Sequence, residues 1–447
     1  MPASWSSRGV IAFLSAMGFA HAGLSTISPT GGGITPMVEF GALPDFLPDG
    51  ERFLYSKVPD AKDGGVFVGS LDKMIPVRLM GGMTRALYQP ADSGQGGFVL
   101  FRRGGRIMAQ RFDPNALTLS GPAIPLTREG EIDKPGYGAD MLFSVSDNGL
   151  FAFQASSTER LTWLNRRGEP VGVIGQTGKF RNFRLAPDGR HLAADLMIFD
   201  GGDDQALEIA RYDLERGTQE RMTSHPAADV YPVWSPDSKQ IAFASARMNW
   251  SVFVTSGPDQ EKLVVGMPGG LGHITDWSPD GRFLLWRSND GGADVWIVPL
   301  SSGEKPYVFV GSRFREEGGV FSPDGGWIAY SSNQSGREEV YVKRFPDDRS
   351  QPIPVSSAGG KQPAWRRDGS ELFYTGADGN LTAVSVKLVD AKPQFGSPQA
   401  LFKAPPSGFP RRNYEVSPDG QRFLVARPTP GTATITVVTN WQSQITK

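Results

Sequence analysis

FSPDGGWIAYSS (Phe321 to Ser332), followed by EVYVK (Glu339 to Lys343), reads as two strands joined by a tight turn with a third strand about ten residues on. Proline pre-sets φ at the second turn position, aspartate bonds the turn backbone and glycine closes it. The same phrase returns with its aspartate at Asp49, Asp147, Asp188, Asp237, Asp280, Asp368 and Asp419. The intervals, Asp324 included, are 98, 41, 49, 43, 44, 44 and 51 residues. The first is double, and a degenerate copy around Gly96 to Phe101 fills it, keeping the apolar strand without the Pro-Asp pair.

Strands flank each turn: Tyr231 to Trp234 precedes one and Ile241 to Ala244 follows it. Further on come alternating stretches such as Asp294 to Val298 and Tyr307 to Val310. Four strands per ~44 residues is the period of a propeller blade. No stretch of a dozen residues has helical periodicity, so an all-β fold of four-stranded blades is predicted. Trp234, Trp277 and Trp365 stand just before their turns, with Phe321 and Val416 at equivalent places. One per unit is the pattern of inter-blade wedges rather than of a ligand platform.

Composition agrees. Glycine (55) and proline (35) are about one residue in five of 447, spread between apolar runs as a turn-dense β-fold requires. With 39% apolar and 11% aromatic residues the chain has ample material for a core. Forty-six basic against forty-seven acidic residues imply no field-driven attraction to nucleic acid or an anionic membrane. Cysteine is absent, which excludes disulfides, thiolate metal sites and cysteine nucleophiles.

The repeats resemble those of TolB-like, WD40-like propellers. More closely, the chain resembles the propeller region that follows the kinase domain and membrane helix in many bacterial receptor-type serine/threonine protein kinases. The stretches that carry this are FLPDGERFLYS (Phe46 to Ser56), RIMAQRFDPNALTLSGPAIPL (Arg106 to Leu126), WLNRRGEPVGVIG (Trp163 to Gly175), WRRDGSELFYTGADGNLTAVSV (Trp365 to Val386) and ITVVTNW (Ile435 to Trp441). The resemblance implies a sensor or binding scaffold with an extracytoplasmic placement, and it leaves activity open, since one fold hosts many functions.

Residues 3–13 read as one more strand, turn and strand, with Leu24 to Ile27 and Ile34 to Phe40 as its outer strands. The competing reading of residues 1–22 is a secretory signal: Arg8, the apolar run Val10 to Ala20, and Ala20-His21-Ala22. The run is too short to span a membrane. Ten units exceed a single ring. The expectation is a six-bladed TolB-like ring over 179–447, from units beginning near 180, 229, 273, 316, 361 and 412, with a partial or second ring over 1–178; a single eight-bladed ring is the alternative. The last unit ends after its third strand at Trp441, so an earlier strand, Val171 to Gly175, is expected to complete that blade.

Chemistry is sparse. The kinase glycine-rich loop, His-Arg-Asp and Asp-Phe-Gly motifs are missing, and so is the Gly-x-Ser-x-Gly of propeller peptidases. Gly175 to Lys179 fails the spacing of a phosphate loop and reads as an inter-blade turn. His21, His191, His225 and His273 lack zinc spacing and read as loop residues. Asp200 to Asp204, Asp290 to Asp294 and Asp60 to Asp63 offer oxygens to calcium but read as solvated turns. The arginine pairs at 102–103, 166–167, 366–367 and 411–412 read as solubilising turn residues. No catalytic, cofactor or metal residue is assigned. A non-catalytic module binding a protein, peptide or glycan at the propeller mouth is expected, as the sensor part of a receptor-like kinase or as a free-standing exported protein. A lyase or lactonase with a divalent ion in the channel is the third class.

Overall fold

The computed structural model describes residues 3–16, 22–39, 41–57, 64–72, 76–82, 84–92, 94–103, 105–128, 131–132, 143–146, 148–155, 159–178, 180, 182–198, 206–248, 250–267, 272–288, 293–301, 303–346, 349–390, 392–405, 412–429 and 435–445. Among them lie ten antiparallel sheets and one short helix, Trp441–Ile445. No helix among the described residues is long and apolar enough to cross a membrane. The fold is a β-propeller, and the chain divides into two compact units.

The larger unit spans 158–200 and 204–429 and holds six sheets. Five are consecutive in sequence, and their inner strands are Phe183–Leu185, Asp229–Trp234, Gly272–Trp277, Glu316–Phe321 and Gly360–Trp365. The sixth begins with Tyr414–Val416 and Arg422–Pro428 and is finished by Glu159–Asn165 and Pro170–Gly178 from the other end of the unit. Each inner strand neighbours the next, and Tyr414–Val416 neighbours both Gly360–Trp365 and Phe183–Leu185, so the series returns to its start.

Packing follows the same cycle. Trp234 is buried among Ala186, Ala193 and Ile209 of the sheet before it and Ile241, Phe243 and Phe253 of its own. Trp277 joins Val233 and Ala242 to Leu284 and Trp286, and Phe321 joins Leu285 and Ile297 to Ile328 and Tyr330. Trp365 is half-buried against Trp327, Ala329, Leu372 and Tyr374. A fifth core sets Phe373 against Phe423, and a sixth sets Leu161 and Leu424 against Phe183 and Leu192. An alternating strand presents one apolar row to each neighbour, so every sheet is buried on both faces.

The smaller unit comprises 1–157, 201–203 and 430–447. Ala3–Trp5, Ile11–Ala16, Ala22–Ile27 and Thr35–Glu39 form its first four-stranded sheet, with a turn from Ser6 to Val10. Two more follow, beginning at Gly41–Phe46 and Ala86–Pro90. The last joins Phe143–Val145 and Phe151–Gln154 to Ile435–Val438, and Trp441 packs edge-to-face on Phe98. The Ile435 to Trp441 stretch is therefore not the third strand of the Ser417 unit. Glu159–Asn165 takes that place, and Val171 to Gly175 lies in the outermost strand beyond it. These pairings also put the division between units at 157/158 instead of 178/179.

The turns explain the period. The hydroxyls of Ser235, Ser278, Ser322 and Ser417 donate to Asp237, Asp280, Asp324 and Asp419 at 2.5–2.7 Å. Each of those hydroxyls accepts the N–H five residues on at 2.9 Å. The carboxylates accept the N–H two residues on, at 3.0–3.2 Å. Asp49, Asp188 and Asp368 make that second bond without the serine, from Glu51, Arg190 and Ser370. Asp147 lies outside the described residues.

Candidate binding site in the central channel

Inner strands of the larger unit are broken where they line its channel. Register shifts interrupt the pairing after Val230, Glu317 and Lys361, and there Tyr231, Gly318 and Gln362 take φ of +56°, +66° and +60°. Pro232 and Pro363 follow two of them, and a proline cannot donate to the ladder. The result is a β-bulge, which re-aims side chains and recurs beside functional sites. Leu43-Pro44 repeats the device in the smaller unit, with φ of +57° at Leu43.

Two cavities of the larger unit share Arg184, Val320 and Arg412. One opens at the Ser-Pro-Asp-Gly end and encloses about 1330 Å³ free of protein atoms, open solvent included. Pro187, Pro236, Pro279, Pro323 and Pro418 rim it, with Trp234, Trp277, Phe321 and Trp365 between them. The wedge aromatics thus line this mouth as well as packing between the sheets. The other, of about 750 Å³ on the same measure, lies on the bulge side, lined by Tyr231, His273, Gln362 and Lys361 among others.

A charged cluster stands between the cavities. Glu415 Oε1 accepts from Arg184 Nη1 at 3.0 Å and from Arg412 Nε and Nη2 at 3.1 and 2.6 Å. Its Oε2 accepts the Leu185 N–H at 3.3 Å. Asp276 stands at the equivalent place three inner strands away and accepts the Phe321 N–H at 2.7 Å. Ser4 and Asp45 do the same for Phe46 and Tyr88 in the smaller unit. A polar side chain just before the turn therefore ties one inner strand to the backbone of the next.

Electrostatics follow from enclosure. Burial pushes the Asp276 carboxyl up to about 6, against the pull of the Phe321 N–H, Arg412, the Trp277 N–H and Arg184. Burial, then Arg287 and Arg184, push His273 down to about 3, so it is neutral at physiological pH. Its ring stacks on Tyr231, centroids 4.4 Å apart. Arg287 is held in turn by Glu317 at 2.9 Å.

Several residues stand elsewhere than the sequence reading put them. His273 is a buried residue of an inner strand, and Arg412, two residues before the inner strand Tyr414–Val416, lines the channel and is tied to Glu415. Gly175 to Gly178 belong to a strand rather than a turn. Arg166 forks onto Glu371 at 2.9 and 3.1 Å, and Arg367 donates to the Pro187 carbonyl. His191 bonds Asp188 at 2.8 Å and His225 accepts the Ala227 N–H, while His21 lies outside the described residues. Of the acidic loops, residues 60–63, 200–204 and 290 also lie outside them. No three metal-ligating carboxylates or histidines converge among the described residues.

No family model matches the chain. An uncharacterized protein of Agrobacterium fabrum is 23% identical over 44% of this chain and 83% of its own length. Among solved structures, the chain is similar to a putative TolB from Agrobacterium tumefaciens (19% identical, TM-score 0.46), covering 62% of this chain and 99% of that one. It is also similar to TolB from Acinetobacter baumannii (13%, TM-score 0.39), over 78% and 80% of the two chains. Similarity to the tricorn protease (14%, TM-score 0.38) covers 96% of this chain and 48% of that protein.

Proposed function

We propose that the chain is a non-catalytic binding module whose larger unit is a six-bladed, TolB-like ring, taking an extended peptide segment of a partner protein at the Ser-Pro-Asp-Gly mouth. The smaller unit is a partial second ring. The observation that carries this reading is the open 1330 Å³ mouth, rimmed by five prolines and four aromatics on a rigid scaffold. Such a rim offers apolar area at low entropic cost, and Arg367, Arg184 and Asp276 offer polar contacts to a passing backbone. The resemblance to kinase-linked propellers supports a sensor role in an extracytoplasmic setting.

Linear peptides selected by display on the full chain test it. They should share one site, and Arg367→Glu should weaken them about tenfold, the worth of one or two charge-assisted contacts. Equal binding to Arg367→Glu and the parent chain contradicts the assignment.

A further inference from the structure

The bulge-side cavity collects donors without acceptors. Among the described residues, the ring nitrogens of His273 have no hydrogen-bond partner, although the side chain is only 9% exposed and lines the cavity. Lys361, exposed at the rim, lines the same cavity and makes no ion pair among the described residues. Arg287, paired with His273 on the adjacent strand, has its Nε buried without a partner. Two guanidiniums, Arg184 and Arg412, share one oxygen of one carboxylate, and their remaining bonds, to the Thr275 and Pro363 carbonyls, are long at 3.4 Å.

The acceptors on this side are fewer. Glu317 Oε1 already serves Arg287 and Arg315. Glu338 stands exposed at the rim. Asp276 is turned to the other cavity, where it takes backbone N–H groups. With donors in excess of acceptors along its wall, the cavity suits a guest that brings acceptors. Burial keeps His273 neutral, and the Arg287 and Arg184 cations beside it favour the same kind of guest.

We propose that the bulge-side cavity binds the oxyanion group, carboxylate or phosphate, of a small ligand, with Arg184 and Arg412 at its floor and Lys361 and His273 completing the shell. Arginine forks match either group, a lysine adds a point charge, and a neutral imidazole donates one N–H. The cavity shares Arg184 and Arg412 with the peptide mouth, but Arg367 lines only the mouth and Lys361 only the bulge side, so the two variants let either reading fail alone.

Calorimetric titration of the full chain at low salt, with inorganic phosphate and with citrate, tests this. One saturable site is expected for at least one probe, and which probe binds distinguishes phosphate from carboxylate. Lys361→Met should weaken it about tenfold, whereas Lys262→Met, on an exposed outer strand, should leave it unchanged. His273→Phe keeps an aromatic ring against Tyr231 but removes both nitrogens, and a loss of about threefold or more is expected. Absence of saturable binding with both probes, or full affinity in Lys361→Met, overturns the proposal.

Discussion

Asp276 shows how one side chain can serve the fold and tax it. Its carboxylate ties one inner strand to the next through the Phe321 N–H, yet burial lifts its pKa to about 6. A carboxyl raised above its unfolded value near 3.8 contributes stability that is complete below that value and is lost as pH rises through the folded one. The parent chain should thus lose on the order of 2 kcal/mol between pH 4 and 7 from this residue. Asp276→Asn keeps an acceptor without the charge, so denaturant titrations should show that slope flattened. An unchanged pH slope would contradict the burial argument. The turn aspartates behave oppositely: the Ser235, Ser370 and Ser417 hydroxyls, then backbone N–H groups, hold Asp237, Asp368 and Asp419 below the usual carboxylate range. Their contribution is present above the unfolded pKa and lost as pH falls below it. At Ser278, removing the hydroxyl strips two bonds, and Ser278→Ala should cost about 1–2 kcal/mol by denaturant melting. These turn residues were legible because the phrase repeats. Asp276, Glu415, Arg184 and His273 were not, because channel positions differ from one copy to the next and carry no period.

At the scale of the element, the proline after three of the bulges was the overlooked signal. Leu43-Pro44, Tyr231-Pro232 and Gln362-Pro363 stand inside stretches that otherwise read as inner strands, and a proline there argues for broken pairing. The wedges were readable from their spacing, and their second exposure, at the mouth, emerges only when the sheets are assembled. Trp234→Ala should cost about 3–5 kcal/mol, since it empties a closed inter-sheet core. The finishing strands of the sixth sheet were half legible. The need for a strand from the other end followed from the count, but Ile435 to Trp441 looked like a continuation because it follows the Ser417 unit in sequence. Cysteines introduced at Arg160 and Arg427, paired across that junction, should form a disulfide on oxidation in a chain that has no other cysteine. By the chain-entropy model such a bond stabilises by about 5–6 kcal/mol. Two free thiols on titration of the oxidised protein would contradict the pairing.

For the molecule as a whole, repetition determines the architecture and exceptions determine the use. Period, turn chemistry and alternation pointed to a propeller without reference to any channel residue, and in the larger unit a closed cycle of sheets leaves few edges open. The division between units was less legible, because both are built from the same phrase. It rests on which strand pairs with Arg422–Pro428. The central claim is that the larger unit closes on itself through Glu159–Asn165 and Pro170–Gly178. Denaturant unfolding of a fragment spanning residues 158–429, followed by hydrogen exchange, tests it most directly. The account predicts one cooperative transition and amides of Glu159–Asn165 as strongly protected as those of Arg422–Pro428. A fragment that folds only when residues 430–447 are restored would show that the sheet is finished from elsewhere.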